Sequence, residues 1–295
     1  MNRIILLALI VIASINTYAQ QVDSDIYLIE YNVGKDGKYY FAPPFNFTKR
    51  KGYDNQPCFS NSGEHIYYVA YKDTVQSDIY DYSIYDSTTV AITNTPESEF
   101  SPTVSPDGNH LSVIRIDSDK GQRMYNILLD GTEAEPVILT TDSAAYYEWI
   151  NPKTVAMVVL DKSTMLNIYD GAGEQFTQLA QNVGRCVKKI PGKDEVSYVA
   201  LGDTNGFSLL TFNIASGEMG SISQLPKGVE DYAWTNDGKI ICGDKGKLKI
   251  FDPAKPETGW IEIADFSKSI GEFYRIAVSP VGNMWAIVGY KGKKP

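Results

Sequence analysis

Ser101-Pro-Thr-Val-Ser-Pro-Asp-Gly108 runs into the alternating stretch Leu111 to Ile116, and the same relationship recurs along the chain. Upstream, Pro57-Cys-Phe-Ser-Asn-Ser-Gly63 precedes Ile66 to Tyr71. Downstream, Trp234-Thr-Asn-Asp-Gly238 precedes Lys239 to Cys242, and Val278-Ser-Pro-Val-Gly282 precedes Met284 to Val288. Two weaker copies fill the gap: Trp149-Ile-Asn-Pro-Lys153 before Thr154 to Leu160, and Lys189-Ile-Pro-Gly-Lys193 before Glu195 to Leu201. With the residue aligned to Ser105 as anchor, the copies fall at Ser60, Ser105, Ile150, Ile190, Thr235 and Ser279, at spacings of 45, 45, 40, 45 and 44.

The chemistry of the copy explains its spacing. Pro with its preset φ and Gly in a left-handed conformation suit a tight turn. The residue before the anchor (Phe59, Val104, Trp149, Lys189, Trp234, Val278) and the one two places earlier (Pro57, Pro102, Tyr147, Val187, Tyr232, Ile276) form a period-two face, apolar except at Lys189. That alternation predicts a half-buried strand ending at the turn. A second strand follows the turn, then a third, as in Ser77 to Tyr82, Met124 to Leu129, Leu166 to Tyr169, Phe207 to Phe212 and Lys247 to Phe251. A fourth completes the unit, as in Val137 to Thr140 or Trp260 to Ile263.

Four strands in about 45 residues make the blade of a β-propeller. No long apolar pattern of period 3.6 supports a helical array, and a β-sandwich would not explain equal spacing. The last copy has only two strands, about Tyr274 to Ser279 and Met284 to Tyr290. Two further strands, Asp25 to Tyr31 and Tyr39 to Phe47, lie ahead of the first copy. Joining two N-terminal to two C-terminal strands predicts an all-β, six-bladed propeller of four-stranded blades whose ring leaves no open sheet end.

Composition agrees with one closed domain. The chain has 295 residues and is 43% apolar, which excludes a disordered or collagen-like protein. With 27 basic against 36 acidic side chains the net charge is −9, which argues against a nucleic-acid partner. Arg3 followed by the apolar run Ile4 to Ala13 and small residues to Ala19 predicts a signal peptide over 1–19 and a propeller over 20–295. Ten apolar residues are about half of the ~20 that span a bilayer as a helix, so a retained anchor is the lesser alternative and the mature chain is expected to have no transmembrane segment. The expected location is periplasmic or extracellular. Three cysteines, Cys58, Cys186 and Cys242, leave at least one free thiol, and with only two histidines a Cys/His zinc site lacks raw material.

The Pro102-Thr-Val-Ser-Pro-Asp-Gly108 copy, and more loosely those at 57–63, 234–238 and 278–282, resembles the Pro-x-Phe-Ser-Pro-Asp-Gly repeat of TolB-like β-propellers. The resemblance covers nearly the whole mature chain. It implies a periplasmic, six-bladed propeller engaged in contacts with other proteins, here with no room before the first repeat for the N-terminal α/β domain found in TolB. The repeat is also similar to that of prolyl oligopeptidase-type propellers, but their Gly-x-Ser-x-Gly motif is absent.

Loops leading into the innermost strands of a propeller surround one mouth of its channel. Reading four to eight residues upstream of each anchor gives Asp54, Asn55, Glu97, Glu99, Tyr146, Arg185, Glu230, Asp231, Glu272, Tyr274 and Arg275, an acidic and aromatic rim with two arginines. Such a rim is expected to bind an envelope protein or peptide, with a carbohydrate as alternative; solvated loop ends explain the same residues without a ligand. A second alternative is resemblance to six-bladed lactonases, which hold calcium in the channel; Glu99, Glu230, Asp231 and Glu272 are the carboxylates that would serve, although the ligand pattern of that class is missing. No catalytic residues and no obligatory cofactor are expected.

Shorter patterns complete the reading. His65 and His110 each follow an anchor by five residues. Asn46-Phe-Thr48 matches an N-glycosylation acceptor, and Asp73-Thr-Val, Asp86-Ser-Thr and Asp142-Ser-Ala match a short O-glycosylation pattern. The tail Lys291-Gly-Lys-Lys-Pro295 is too small a basic patch to bind a membrane.

Overall fold

The computed structural model describes residues 23–71, 76–132, 134–170, 175–202 and 206–291. The expected leader and the Asp73-Thr-Val pattern lie outside these residues. Five of the blades follow the repeat in chain order, each an antiparallel meander. Blade one comprises Asp54–Phe59, His65–Tyr71, Ser77–Ser83 and Thr88–Ala91. Blade two comprises Ser98–Val104, His110–Ile116, Gln122–Leu128 and Ala134–Ile138. Blades three and four begin with inner strands Ala144–Asn151 and Val183–Lys189 and end with outer strands Gln175–Gln181 and Met219–Gln224. Blade five has the shortest inner strand, Ala233–Trp234, and ends at Ile261–Asp265.

Blade six is the expected two-plus-two closure. Phe273–Val278 pairs with Met284–Tyr290, which pairs with Ser24–Val33 from the other end of the chain through seven residue pairs, Ser24 opposite Tyr290 to Glu30 opposite Met284. Its outer strand differs from the expected single run of 39–47. It is split into Tyr39–Phe41 and Phe45–Asn46, both paired to Ser24–Val33. Pro43 and Pro44 lie in the break, where missing N–H groups and restricted backbone interrupt a ladder.

The core lies between blades. Ile26, Ala286 and Val288 of blade six pack with Phe59, Ile66, Tyr68 and Tyr82 of blade one. Ile241 and Leu248 of blade five pack with Ile29, Ile276, Trp285 and Ile287 of blade six. Each fully buried side chain of this kind contributes about 1.5–3 kcal/mol, so the ring is held by apolar seams. Polar tethers fix the register across two of these seams. Trp149 Nε1 of blade three donates to Ser112 Oγ of blade two at 2.8 Å, and Trp234 Nε1 of blade five donates to Ser197 Oγ of blade four at 2.8 Å. Both tryptophans occupy the position just before the repeat anchor.

A polar clasp covers the closure. Lys291 Nζ stands 2.7 Å from Asp25 Oδ1, and Asn46 Nδ2 donates to Asp25 Oδ2 at 2.7 Å. The acceptor pattern at Asn46 is thus engaged in closing the ring. Cys58, Cys186 and Cys242 are all free thiols. His65 Nδ1 lies 2.9 Å from Asp81, and His110 Nδ1 lies 2.6 Å from Asp107, each imidazole facing a carboxylate of its own blade. Among the described residues no helix is long and apolar enough to cross a membrane.

Candidate functional site

The inner strands of all six blades line a central cavity of about 380 Å³. It extends from Arg275 and Asp231, near the starts of these strands, to Asn61, Pro191 and Pro280 in the turns that follow them. Local backbone irregularities shape the strand-start end. Gln56 and Ser101, at equivalent positions in blades one and two, sit at bulges with φ of 54° and 55°, and Gln56 Oε1 accepts the Ser101 N–H at 2.8 Å. Bulges re-aim side chains at the rims of closed sheets.

Seven of the eleven expected residues meet at this end. Arg185 of blade four turns its Nε towards the Asp231 carboxylate of blade five, 3.1 Å from both oxygens, and its Nη2 also donates to Asp231. Its backbone N–H donates to Glu230 Oε1 at 2.7 Å. Gly184 leaves room for this approach: a Cβ there would come within 2.9 Å of Glu230 Oε1 and 3.0 Å of the Val199 Cβ, so those neighbours would have to shift. Arg275 of blade six places Nη2 3.7 Å from Asp231 and donates from Nη1 to Asn55 Oδ1 of blade one at 2.6 Å. Asn55 in turn donates through Nδ2 to the Tyr274 hydroxyl. A polar belt therefore crosses blades four, five, six and one.

Electrostatics follow from this packing. Burial pushes the Asp231 carboxyl up, but Arg275 and Arg185 outweigh it and hold the group below the ordinary carboxylate range. Burial works against the charge on Arg185, and Asp231 with Glu230 restores it, so the guanidinium stays protonated. Tyr274 lies under both guanidiniums, 5.4 Å from Arg185 and 5.7 Å from Arg275, and stacks on Tyr290 at 4.3 Å. Tyr146 is half-buried on the blade-three side, and its electrostatic influence reaches Arg185 and Tyr53.

The other four expected residues lie elsewhere. Asp54 and Glu99 occupy the same repeat position and are buried, at 0% and 2% exposure. The alternation of the strand turns Asp54 to Arg50 at 2.5 Å, and Glu99 to the hydroxyls of Thr95 at 2.5 Å and Thr93 at 3.0 Å. Burial pushes the Asp54 carboxyl up to about 6 and the Glu99 carboxyl up to about 7. Glu97 is half-buried and its carbonyl accepts from Gln76, while Glu272 is exposed and its carbonyl accepts the Tyr290 N–H. Among the described residues no three His, Cys, Asp or Glu side chains are grouped to hold a metal ion.

The upstream window missed a deeper layer. Lys188 and Glu148, each two residues before an anchor, line the cavity and pair at 2.9 Å. Cys58 and Thr103 line it from equivalent positions, as do Ala233 and Ala277. Period two carried the signal: if residues one and three before the anchor pack between blades, those two and four before it face the channel.

No family model matches the chain and no curated protein sequence matches it. Solved structures do. A TolB-like protein from Agrobacterium tumefaciens superposes with a TM-score of 0.69 at 11% identity, covering 92% of this chain and 99% of that one. A gluconolactonase from Xanthomonas campestris gives 0.64 at 8% identity, covering 92% and 97%. TolB from Acinetobacter baumannii gives 0.58 at 13% identity; 92% of this chain is covered, and it spans 65% of that protein's length. The fold is that of the TolB-like six-bladed propellers. At these identities the likeness describes the fold alone.

Proposed function

We propose that this propeller is an exported interaction module that binds a protein segment at the strand-start mouth of its channel. The observation that carries the reading is the gathering of Tyr146, Arg185 and Arg275 on the lining of one concave opening, with Tyr274 beneath both guanidiniums and Tyr290 stacked on it. Tyrosine and arginine are enriched in the hot spots of protein recognition: tyrosine offers a large amphipathic surface at low entropic cost, and arginine a planar fork of donors. The Asn55 and Asp231 contacts hold the two guanidiniums in place before a partner arrives, which lowers the ordering cost of binding. The TolB fold fits the same role. Export rests on the leader pattern at 1–19.

Affinity capture from envelope extracts tests it, with the wild type beside a Tyr146→Ala/Tyr274→Ala variant whose folding is checked by circular dichroism. Reproducible retention of one protein by the wild type, lost in the variant, is the expected result. Equal retention by both overturns the assignment to the mouth.

The channel of a gluconolactonase-like fold makes lactone hydrolysis the reading to compare. Turnover of a lactone panel in the presence of calcium, abolished by Glu230→Gln, would replace the binding role with catalysis.

A further inference from the structure

The charge inside the channel is opposite to that of the chain. The protein carries −9 overall, yet the charged side chains lining the cavity are Arg185, Lys188, Lys189 and Arg275 against Glu148 and Asp231. Four cations face two carboxylates of the lining, and a third carboxylate, Glu230, stands 3.9 Å from Arg185 beside it. The cations are not spread at random. Arg185 and Arg275 share the single buried carboxylate of Asp231, and Lys188 has Glu148 at 2.9 Å. Among the described residues Lys189 has an ion pair only with Asp194, at 4.0 Å, outside the lining. On blades five and six the same layer is completed by Ala233 and Ala277, whose small side chains leave room for the cavity. A low-dielectric cleft with an excess of one sign focuses its field on ligands of the other sign.

Resting on the reading of the mouth as a protein-binding site, we infer that the bound segment is acidic and extended, and that it places an Asp or Glu side chain in the channel against Arg275 and Lys188. The cavity of about 380 Å³ admits a few side chains rather than the surface of a folded domain. Guanidinium and ammonium groups held in fixed positions by Asn55, Asp231 and Glu148 make charge-assisted hydrogen bonds to an entering carboxylate without first having to be ordered. Tyr146, on the cavity lining at the strand-start end, contacts the apolar parts of the same segment as it enters.

An array of capped decapeptides tests this, with acetylated and amidated ends and Asp, Glu, Asn, Gln or Lys fixed at each position in turn. Binding is followed by fluorescence anisotropy. The expected result is selection of Asp or Glu over Asn or Gln by about tenfold at one or two positions. Binding of the selected peptide to the wild type should weaken severalfold between about 50 and about 300 mM salt. Lys189→Gln, a change at a half-exposed side chain, should weaken it more modestly; Arg275→Gln should abolish the acidic preference and Arg275→Lys restore part of it. The salt series needs no variant and stands even where Arg275→Gln does not fold. Peptide binding with no preference for acids overturns this inference and leaves the protein-binding reading intact. Selection that appears only when the α-carboxylate is free, or binding of trigalacturonate in place of peptides, also overturns it. Binding of no peptide at all removes both readings together.

Discussion

Arg185 Nε stands 3.1 Å from each oxygen of the Asp231 carboxylate, so a side chain of the fourth blade closes on one of the fifth across the channel mouth. Asp231 is 5% exposed and faces Arg275 as well. Removing a buried partner from such a group leaves uncompensated charge, which costs more than the pair itself contributes. Asp231→Ala should therefore destabilise the protein by about 3 kcal/mol in urea denaturation. Asp231→Asn keeps a hydrogen-bond acceptor and should cost less.

The interblade tethers predict an unequal pair of serines. Ser197 Oγ accepts from Trp234 Nε1 at 2.8 Å and from the Tyr232 hydroxyl at 2.7 Å, and donates to the Lys188 carbonyl at 3.0 Å. Ser112 Oγ accepts from Trp149 Nε1 and donates to Asn126 Oδ1 at 2.6 Å. Ser197→Ala strands two donors and should cost about 2–3 kcal/mol, whereas Ser112→Ala strands one and should cost about 1 kcal/mol. Thermal melts of the two variants give the comparison directly.

Glu99 makes stability depend on pH. Its carboxyl is pushed up by burial to about 7 from an ordinary value of 4.5. A group whose folded-state value lies above its unfolded value contributes stability that is full below about pH 4.5 and is lost as the pH rises through about 7. Glu99→Gln should remove much of that slope. The variant should match or fall below the wild type at pH 4.5 and exceed it at pH 8, by on the order of 2–3 kcal/mol. A wild-type advantage that grows with pH would show that Glu99 is stabilised in its charged form.

The clasp predicts where the ring opens. Lys291 is the cation 2.7 Å from Asp25, a residue 4% exposed. Lys291→Met should cost about 2 kcal/mol, the exposure of the ammonium group moderating the loss. Amide hydrogen exchange should quicken first between Ile26 and Glu30, where the N-terminal strand pairs with Met284–Tyr290. The double change with Asp25→Asn should recover part of the stability.

The spacing of the anchors made the blades legible, because each copy must present the same strand, turn and strand to its neighbours. The two-plus-two closure was legible for the same reason. The split of 39–47 was not read, although Pro43 and Pro44 announced it in their missing donors. At the candidate site, the named residues nearest the starts of the inner strands come together because a ring brings equivalent positions together. Asp54 and Glu99 were misplaced by one step of the strand alternation, which turns them to Arg50 and to Thr93 and Thr95 instead of the channel. Asn55 and Arg275 were named, but their contact joins residues 220 apart and no local pattern encodes it. The reversal of charge in the channel is likewise a product of folding: it depends on which six strands line the cavity.

The most direct test is photo-crosslinking within one blade. A photoreactive amino acid at Tyr146 stands at the channel mouth, and one at Phe176 stands on the exposed outer strand of the same blade. With the protein expressed in its host cells, the account predicts an adduct with one partner from position 146 and none from position 176. The same adduct from 176 alone would contradict it.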